Sequence, residues 1–212
     1  MARYGIYGGT FDPVHLAHIQ MALSTCEQLR LDKVFFVPTR PWQKTAKASD
    51  QDRLNMLKIA LANYAEELEV DTRELDRTGA SYSIDTLFSF RQEFPEDFLF
   101  FLLGGDQWSN LKTWVLWERF PELVNLAVFP RGQTHFESLY AGKNVKSVSD
   151  FQADPHKCGD LIELSGSFYP ISSTAIRKNI NRLSEELLSG IDPGVLAYIR
   201  EHKLYGFGTT EE

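Results

Sequence analysis

Short apolar runs recur along this chain at Arg3–Tyr7, Lys33–Val37, Phe98–Leu103, Leu126–Phe129 and Leu161–Leu164, with a weaker one at Glu69–Glu74. They are apolar at successive positions, not alternate ones, and rich in Val, Ile, Leu and Phe. A strand of that kind has no solvated face, so it belongs in a sheet covered on both sides. Helix-period segments lie between the runs. Val14–Arg30 sets Leu16, Ile19, Leu23 and Cys26 on one stripe, and Asp52–Tyr64 does the same with Leu54, Leu57, Ile59 and Leu61. Strands alternating with helices predict an α/β fold in three layers, a doubly wound parallel sheet with right-handed crossovers. Ser172–Lys203 reads as two or three C-terminal helices. Positions 131–169, where Gly, Ser, Asp and Pro are scattered, read as insertions and surface loops. No repeat or linker interrupts the pattern, so residues 1–212 are expected to form a single domain.

Composition narrows the functional classes. The chain has 212 residues, 43% hydrophobic and 24% charged, ordinary for a globular protein and unlike a disordered one. Its 22 Lys and Arg against 29 Asp and Glu leave a net charge of −7. That balance gives no global reason to bind nucleic acid or an anionic membrane, and neither partner is expected. An anionic small substrate needs a local positive pocket working against the overall field. Two cysteines, Cys26 and Cys158, are too few for a disulfide framework or a Cys-rich zinc site. The N-terminus MARYGIYGGTF lacks the apolar core of a signal peptide, and the longest apolar run is far short of a membrane span. A soluble cytoplasmic protein is expected; the oligomeric state stays open.

The informative element is Gly8-Gly9-Thr10-Phe11-Asp12-Pro13-Val14-His15-Leu16-Ala17-His18, which follows the first strand and opens the first helix. Two glycines let the backbone leave the strand tightly and approach a ligand closely. Asp12 with Pro13 reads as an N-cap and N1 pair. The N–H groups of that helix start would then face out of the carboxyl edge of the sheet, where Rossmann-like open sheets bind nucleotides. His15 and His18, three apart, neighbour each other on the first turn beside the apolar stripe. Alone, such a pair is more often a surface feature; a metal site is a weaker option, since no third ligand lies nearby in sequence. The loop is neither GxGxxG nor GxxxxGK[ST], so both of those phosphate fingerprints fail. A second anion cradle is legible at Ile171-Ser172-Ser173-Thr174-Ala175-Ile176-Arg177, where hydroxyls cap a helix and Arg177 can reach back over its start. In isolation that string is a plain capped helix with a solvated arginine. A second glycine pair, Gly104-Gly105 with Asp106, ends the most apolar strand and suits a ribose or adenine, or simply a turn with a cap.

His15-Leu16-Ala17-His18 resembles the HxGH motif of a nucleotidyltransferase superfamily, with Ala17 where the motif has Gly. The longer string GGTFDPVH is similar to the bacterial nicotinate-mononucleotide adenylyltransferases, and ISSTAIR resembles the element with which that family holds the ATP triphosphate. By that resemblance Gly8, Gly9, Thr10, Phe11, His18, Gly104, Asp106, Ile171, Ser172, Ser173 and Arg177 are expected at ATP. Ser81-Tyr82-Ser83-Ile84-Asp85-Thr86-Leu87 is similar to the family's SYT-xx-TL element, which helps hold the mononucleotide. Of Trp108, Trp114 and Trp117, any of which core packing would explain, Trp114 occupies the place of a Trp that stacks on the pyridine ring. Ser83, Thr86, Trp114, Val115 and Arg131 are thus expected at the mononucleotide, and the resemblance implies that its carboxylate is met largely by backbone N–H groups around Ser83 and Val115. Pro41-Trp42-Gln43-Lys44 stands where many members read Pro-x-His-Lys, so Gln43 replaces a histidine; Lys44 is a mobile cation near the phosphates or a solvated loop lysine. The resemblance spans residues 4 to about 205, with 132–169 poorly matched.

It implies the reaction of ATP with nicotinate mononucleotide, giving deamido-NAD and pyrophosphate. The nucleophile is the mononucleotide's own phosphate, whose second pKa near 6 leaves it largely ionised, so no protein base is required. Catalysis reduces to holding two anions in line and stabilising charge on the transferred group. His15, His18, Lys44 and Arg177 are the expected catalytic set. Mg²⁺ is expected as a bridge between phosphate oxygens, with no dedicated metal site on the protein. The alternatives are a related adenylyltransferase acting on phosphopantetheine or flavin mononucleotide, and a nucleotide-binding regulator without chemistry.

Overall fold

The computed structural model describes residues 1–40, 46–129, 136–166 and 168–208. Among them run seven strands: β1 (Arg3–Gly9), β2 (Lys33–Pro38), β3 (Leu68–Val70), β4 (Phe98–Gly104), β5 (Asn125–Phe129), β6 (Val145–Ser147) and β7 (Leu161–Glu163). They form one sheet in the order β3-β2-β1-β4-β5-β7-β6, every pair parallel. The described helices are α1 (Leu16–Leu29), α2 (Asp50–Leu61), α3 (Arg73–Asp76), α4 (Ser83–Glu93), α5 (Gly105–Ser109), α6 (Phe120–Leu123), α7 (Val148–Ala153), α8 (Ser173–Lys178), α9 (Glu185–Ser189) and α10 (Pro193–Glu201).

The expected three layers follow from the alternation of side chains along each strand. Tyr7, Phe36, Phe100, Leu102, Ala127 and Ile162 point to one face and are covered by α1, α2, α7, α8 and α10. Ile6, Phe35, Phe101, Leu103, Leu126 and Leu161 point to the other and meet α4, α5 and α6. Because both faces are buried, strand residues are apolar at every position, which is the signal read from the sequence.

Four sequence expectations need correction. The weak run at Glu69–Glu74 is a strand only over Leu68–Val70, after which Arg73–Asp76 turns into α3. Arg73 pins that turn by pairing with Asp71 and Glu93 and lying 3.4 Å over the Phe90 ring. The span 131–169 holds more than loops: in its described part β6 and α7 complete the sheet edge, Phe151 of α7 being fully buried. The stripes are rotated too: α1 buries Ile19, Met21, Ala22, Thr25 and Leu29, with Leu16, Leu23 and Cys26 only half-buried. On α2 the buried set is Arg53, Met56, Leu57, Ala60 and Leu61, and Leu54 and Ile59 lie at its margin.

The strand order reverses between β1 and β4. There the crossovers leave in opposite directions and open a crevice at the carboxyl ends, bounded by Gly8-Gly9 and Gly104-Gly105.

Candidate active site

The loop between β1 and α1 is built differently from a simple capped helix. Asp12 does not cap α1; its carboxylate accepts from the Lys47 N–H at 2.7 Å, the Ala48 N–H at 3.1 Å and the Tyr205 hydroxyl at 2.9 Å. The N-cap is His15, in extended backbone, and α1 starts at Leu16. The helix start is also less open than expected. Leu16 N–H donates to Gly190 O at 2.9 Å, and His18 N–H to His15 O at 2.9 Å. Phe11 adopts φ +48 with its ring buried against Tyr7, Phe36 and His18, so its side chain belongs to the core and only its backbone can meet a ligand. That ring lies over Gly9, where a Cβ would come within 2.7 Å of it. Gly9 is required by the chain's own fold, whereas a Cβ at Gly8 would meet Phe101 and Thr39 only at an ordinary contact of 3.8 Å.

Two distant segments fasten this loop. The Arg177 guanidinium donates to Asp12 O and, at 3.2 Å, to the Thr174 hydroxyl. The Ser173 hydroxyl donates to Pro13 O at 2.8 Å. Ser172 caps α8 by accepting from Ala175 N–H at 3.1 Å. The two elements read at opposite ends of the sequence therefore meet in one place. From below, Arg53 of α2, with no exposed surface, donates to Thr10 O at 2.6 Å and to Asp50 at 2.7 Å. Nothing in the local spacing assigned Arg53 to this loop; an arginine within an apolar stripe was the available signal.

The imidazoles of His15 and His18 stack with centroids 3.6 Å apart. His18 Nδ1 accepts from the His15 N–H at 3.2 Å, which places the ring proton on Nε2. Burial lowers the His15 pKa to about 4, and burial followed by the charge of His15 holds His18 well below the ordinary imidazole range. Both rings are therefore neutral at pH 7, each with one N–H to donate. His15 Nδ1 is buried with no partner among the described residues, as a group awaiting a ligand or water would be.

Beside the loop lies a cavity of about 170 Å³ lined by Gly8, Gly9, Thr10, Ser83, Thr86 and Trp114, all expected site residues. Ile6, Val37 and Phe101 supply further apolar wall, and Thr39, Glu74 and Gln107 supply polar groups the sequence reading missed. Glu74 is 4% exposed; Thr86 Oγ1 donates to its carboxylate at 2.7 Å and accepts from Arg77 at 2.7 Å. Burial raises the Glu74 pKa, which the Thr86 and Ser81 hydroxyls and Arg77 only partly offset. Gly104 caps α5, whose Gln107 accepts back from its N–H at 2.9 Å, and Asp106 is exposed on the first turn of that helix. Val115 is exposed and its side chain does not line the cavity. Ile171 packs on Gly190, holding α8 against the turn after α9. Gln43, Lys44 and Arg131 lie outside the described residues. Among the described residues no three His, Cys, Asp or Glu side chains converge as a resident metal would require.

The cytidylyltransferase-like family model matches residues 6–179. Over 207 residues, covering 97% of this chain and 99% of the relative, the sequence is 36% identical to a probable nicotinate-nucleotide adenylyltransferase of Neisseria meningitidis serogroup B. It is 38% identical over 213 residues, 96% of this chain and 99% of the relative, to a protein of the same name from Chromobacterium violaceum. Among solved structures, the nicotinic acid mononucleotide adenylyltransferase of Plasmodium falciparum, complexed with NaAD, superposes with a TM-score of 0.75 over 98% of this chain and 99% of that one. At 20% identity that likeness is one of fold.

Proposed function

The chain belongs to the cytidylyltransferase-like family and, within it, to the nicotinate-nucleotide adenylyltransferases; from that premise we propose the following chemistry for its site. It transfers the adenylyl group of ATP to nicotinate mononucleotide, forming deamido-NAD in NAD biosynthesis. An oxygen of the mononucleotide's 5′-phosphate attacks the α-phosphorus, and the bond from that phosphorus to the β-phosphate bridge oxygen breaks to release pyrophosphate. The nucleophile arrives ionised, so the protein supplies position and charge stabilisation instead of a base.

The observation that carries this reading is the junction of the β1–α1 loop with the start of α8 through Arg177 and Ser173. It supports a triphosphate lying across that junction, with Arg177 as the cation and His18 Nε2–H as a neutral donor to the α-phosphoryl group. His15 carries His18 by stacking and by its N–H, and its unpartnered Nδ1 supplies one further polar contact. Gly104 and Asp106 border the place for the adenosine. The neighbouring cavity takes the nicotinate ring, flat against Trp114, with its polar substituent toward Ser83, Thr86 and Glu74. Lys44 and Arg131 stay in the proposed set on the sequence reading alone. Mg²⁺ enters with ATP, where it neutralises phosphate charge. Residues 1–212 act as one domain, since α8 and α10 pack back onto the face that carries α1 and α2. Among the described residues no helix is long and apolar enough to cross a membrane, and we place the reaction in the cytoplasm.

Incubation with ATP, Mg²⁺ and each acceptor in turn, with pyrophosphate measured, tests the assignment. Nicotinate mononucleotide is expected to give the fastest release. Release only with phosphopantetheine or flavin mononucleotide would replace the acceptor, and none with any acceptor would leave a nucleotide-binding regulator.

A further inference from the structure

In-line transfer needs the two phosphate groups at a fixed separation, so the segment carrying one must be held in register with the segment carrying the other. Here those segments are the β1–α1 loop, assigned to the triphosphate, and α3 with α4, whose Glu74, Ser83 and Thr86 line the cavity assigned to the mononucleotide. The first turn of α2 is bonded to both, although none of its residues lines that cavity. Asp50 opens this helix and divides its carboxylate between two guanidinium groups. Oδ1 accepts from Arg53 Nη2 at 2.7 Å, and Oδ2 accepts from Arg40 Nε at 2.8 Å. Arg53 reaches the triphosphate loop, its Nη1 donating to Thr10 O at 2.6 Å. Arg40 reaches the other side, donating to Leu75 O at 2.9 Å and Arg77 O at 3.1 Å, carbonyls at the end of α3. The Arg77 side chain in turn donates to Ser81 Oγ at 3.0 Å and, on α4, to Thr86 Oγ1 at 2.7 Å. Thr10 and Thr86 are thus joined through one carboxylate.

The Arg40–Asp50 pair adds little to stability, because both side chains are about two-fifths exposed, at 41% and 39%. What the arrangement fixes is spacing. A guanidinium is planar and presents its N–H groups in a rigid fork, so each arginine holds its carbonyl partner at a set distance from the shared carboxylate. We propose that Asp50 is a positioning residue for adenylyl transfer: through Arg53 and Arg40 it sets the separation between the triphosphate loop and the mononucleotide wall. Both of its oxygens are committed to arginines, so it acts through them and not on substrate. The inference rests on the adenylyltransferase reading above.

Asp50→Asn tests this with side-chain volume nearly unchanged. One acceptor oxygen remains, enough for one arginine, while the new NH₂ group opposes the other. The loop keeps its second grip on the approach to α2, the Asp12 carboxylate on the Lys47 and Ala48 N–H groups. Each substrate therefore keeps its own contacts, and only their register loosens. The readout is the single-turnover rate of pyrophosphate release, taken with protein in excess of ATP so that it reports the bound complex and not the folded fraction. That rate is expected to fall by about tenfold to a hundredfold, the cost of a misplacement on the order of 1 Å. The concentrations of protein and of nicotinate mononucleotide that half-saturate it should stay within about threefold of the parent, since binding is spared. Arg40→Met breaks the same path at a part-exposed residue and keeps the proposal testable should Asp50→Asn fold poorly. It should give a similar loss and add nothing to Asp50→Asn, because links in series fail together. A parent rate in either folded variant, a rate loss matched by weaker half-saturation of either substrate, or additive losses in the double variant overturns the proposal. Absence of pyrophosphate from the unaltered protein with nicotinate mononucleotide would instead sink the underlying assignment, so the two failures are separable.

Discussion

His18 makes two different hydrogen bonds with its two nitrogens, and they can be removed separately. Nδ1 accepts from the His15 N–H at 3.2 Å, inside a ring stack at 3.6 Å and against the Phe11 ring at 5.1 Å. Nε2–H is the donor assigned to the α-phosphoryl group. A neutral, partly buried hydrogen bond contributes about 0.5–1.5 kcal/mol to stability. For a chain of this size that is a fall in Tm of about 1–6 °C. Loss of one preorganised donor to a developing phosphoryl charge costs about 10²–10³ in kcat, roughly 3–4 kcal/mol. His18→Ala should show both losses. His18→Gln carries an amide N–H out toward the Nε2 position but leaves the His15 N–H without an acceptor, so it recovers part of the rate and none of the Tm. His18→Asn places its oxygen near Nδ1 and falls short of Nε2, so it recovers Tm and none of the rate. Pyrophosphate release under saturating ATP and thermal melts of the same four proteins give the two readouts. A folded His18→Ala turning over at the parent rate, or an Asn variant that restores rate, would refute the assignment of the two nitrogens.

Arg177→Ala should lower kcat/KM for ATP by about 10²–10³ while Tm drops only a few degrees, because its guanidinium is partly solvated; an unchanged kcat/KM for ATP would remove it from the site. Arg53→Met leaves Thr10 O without its buried donor, while the part-exposed Asp50 keeps Arg40 at 2.8 Å, so a loss of about 2 kcal/mol or about 4–8 °C in Tm is expected. A melt within about two degrees of the parent would show that the loop does not depend on Arg53. The neutral histidines also predict a pH dependence of folding. His15 has its ordinary value of 6.5 when unfolded and about 4 when folded. The unfolded chain therefore takes up a proton over that interval and the folded protein does not. Stability is full above pH 6.5 and declines as pH falls toward 4, by about 3 kcal/mol from this residue. Urea midpoints of the ligand-free protein should fall through that window, and less steeply in His15→Asn; equal slopes would contradict the burial argument.

The central strands were legible because burial on both faces leaves a mark on every residue of the segment. Phe98–Leu103 could hardly be anything else. The edge strand Val145–Ser147 bears no such mark: three residues, half-buried or exposed, paired on one side only. Loop chemistry behaved in a third way. Gly8, Gly9, Ser83, Thr86 and Trp114 were named from motifs and do converge on one cavity. Glu74 and Gln107 share it unannounced, since a carboxyl or amide near an apolar run carries no local sign of pointing inward. Asp12 and Pro13 gave the strongest local signal of a helix cap, and it misled. An aspartate in that context caps the following helix unless better partners exist. Here the N–H groups of Lys47 and Ala48 and the hydroxyl of Tyr205, none nearer than 35 residues along the chain, out-compete the helix for its oxygens. The consequence reaches the chemistry. Once Asp12 is withdrawn, the cap passes to His15, whose extended backbone turns its N–H onto His18 and fixes that ring's proton on Nε2. The tautomer available for phosphoryl transfer is thus set by long-range contacts from the segment before α2 and from the C-terminal segment, and the spacing of two histidines could not disclose it.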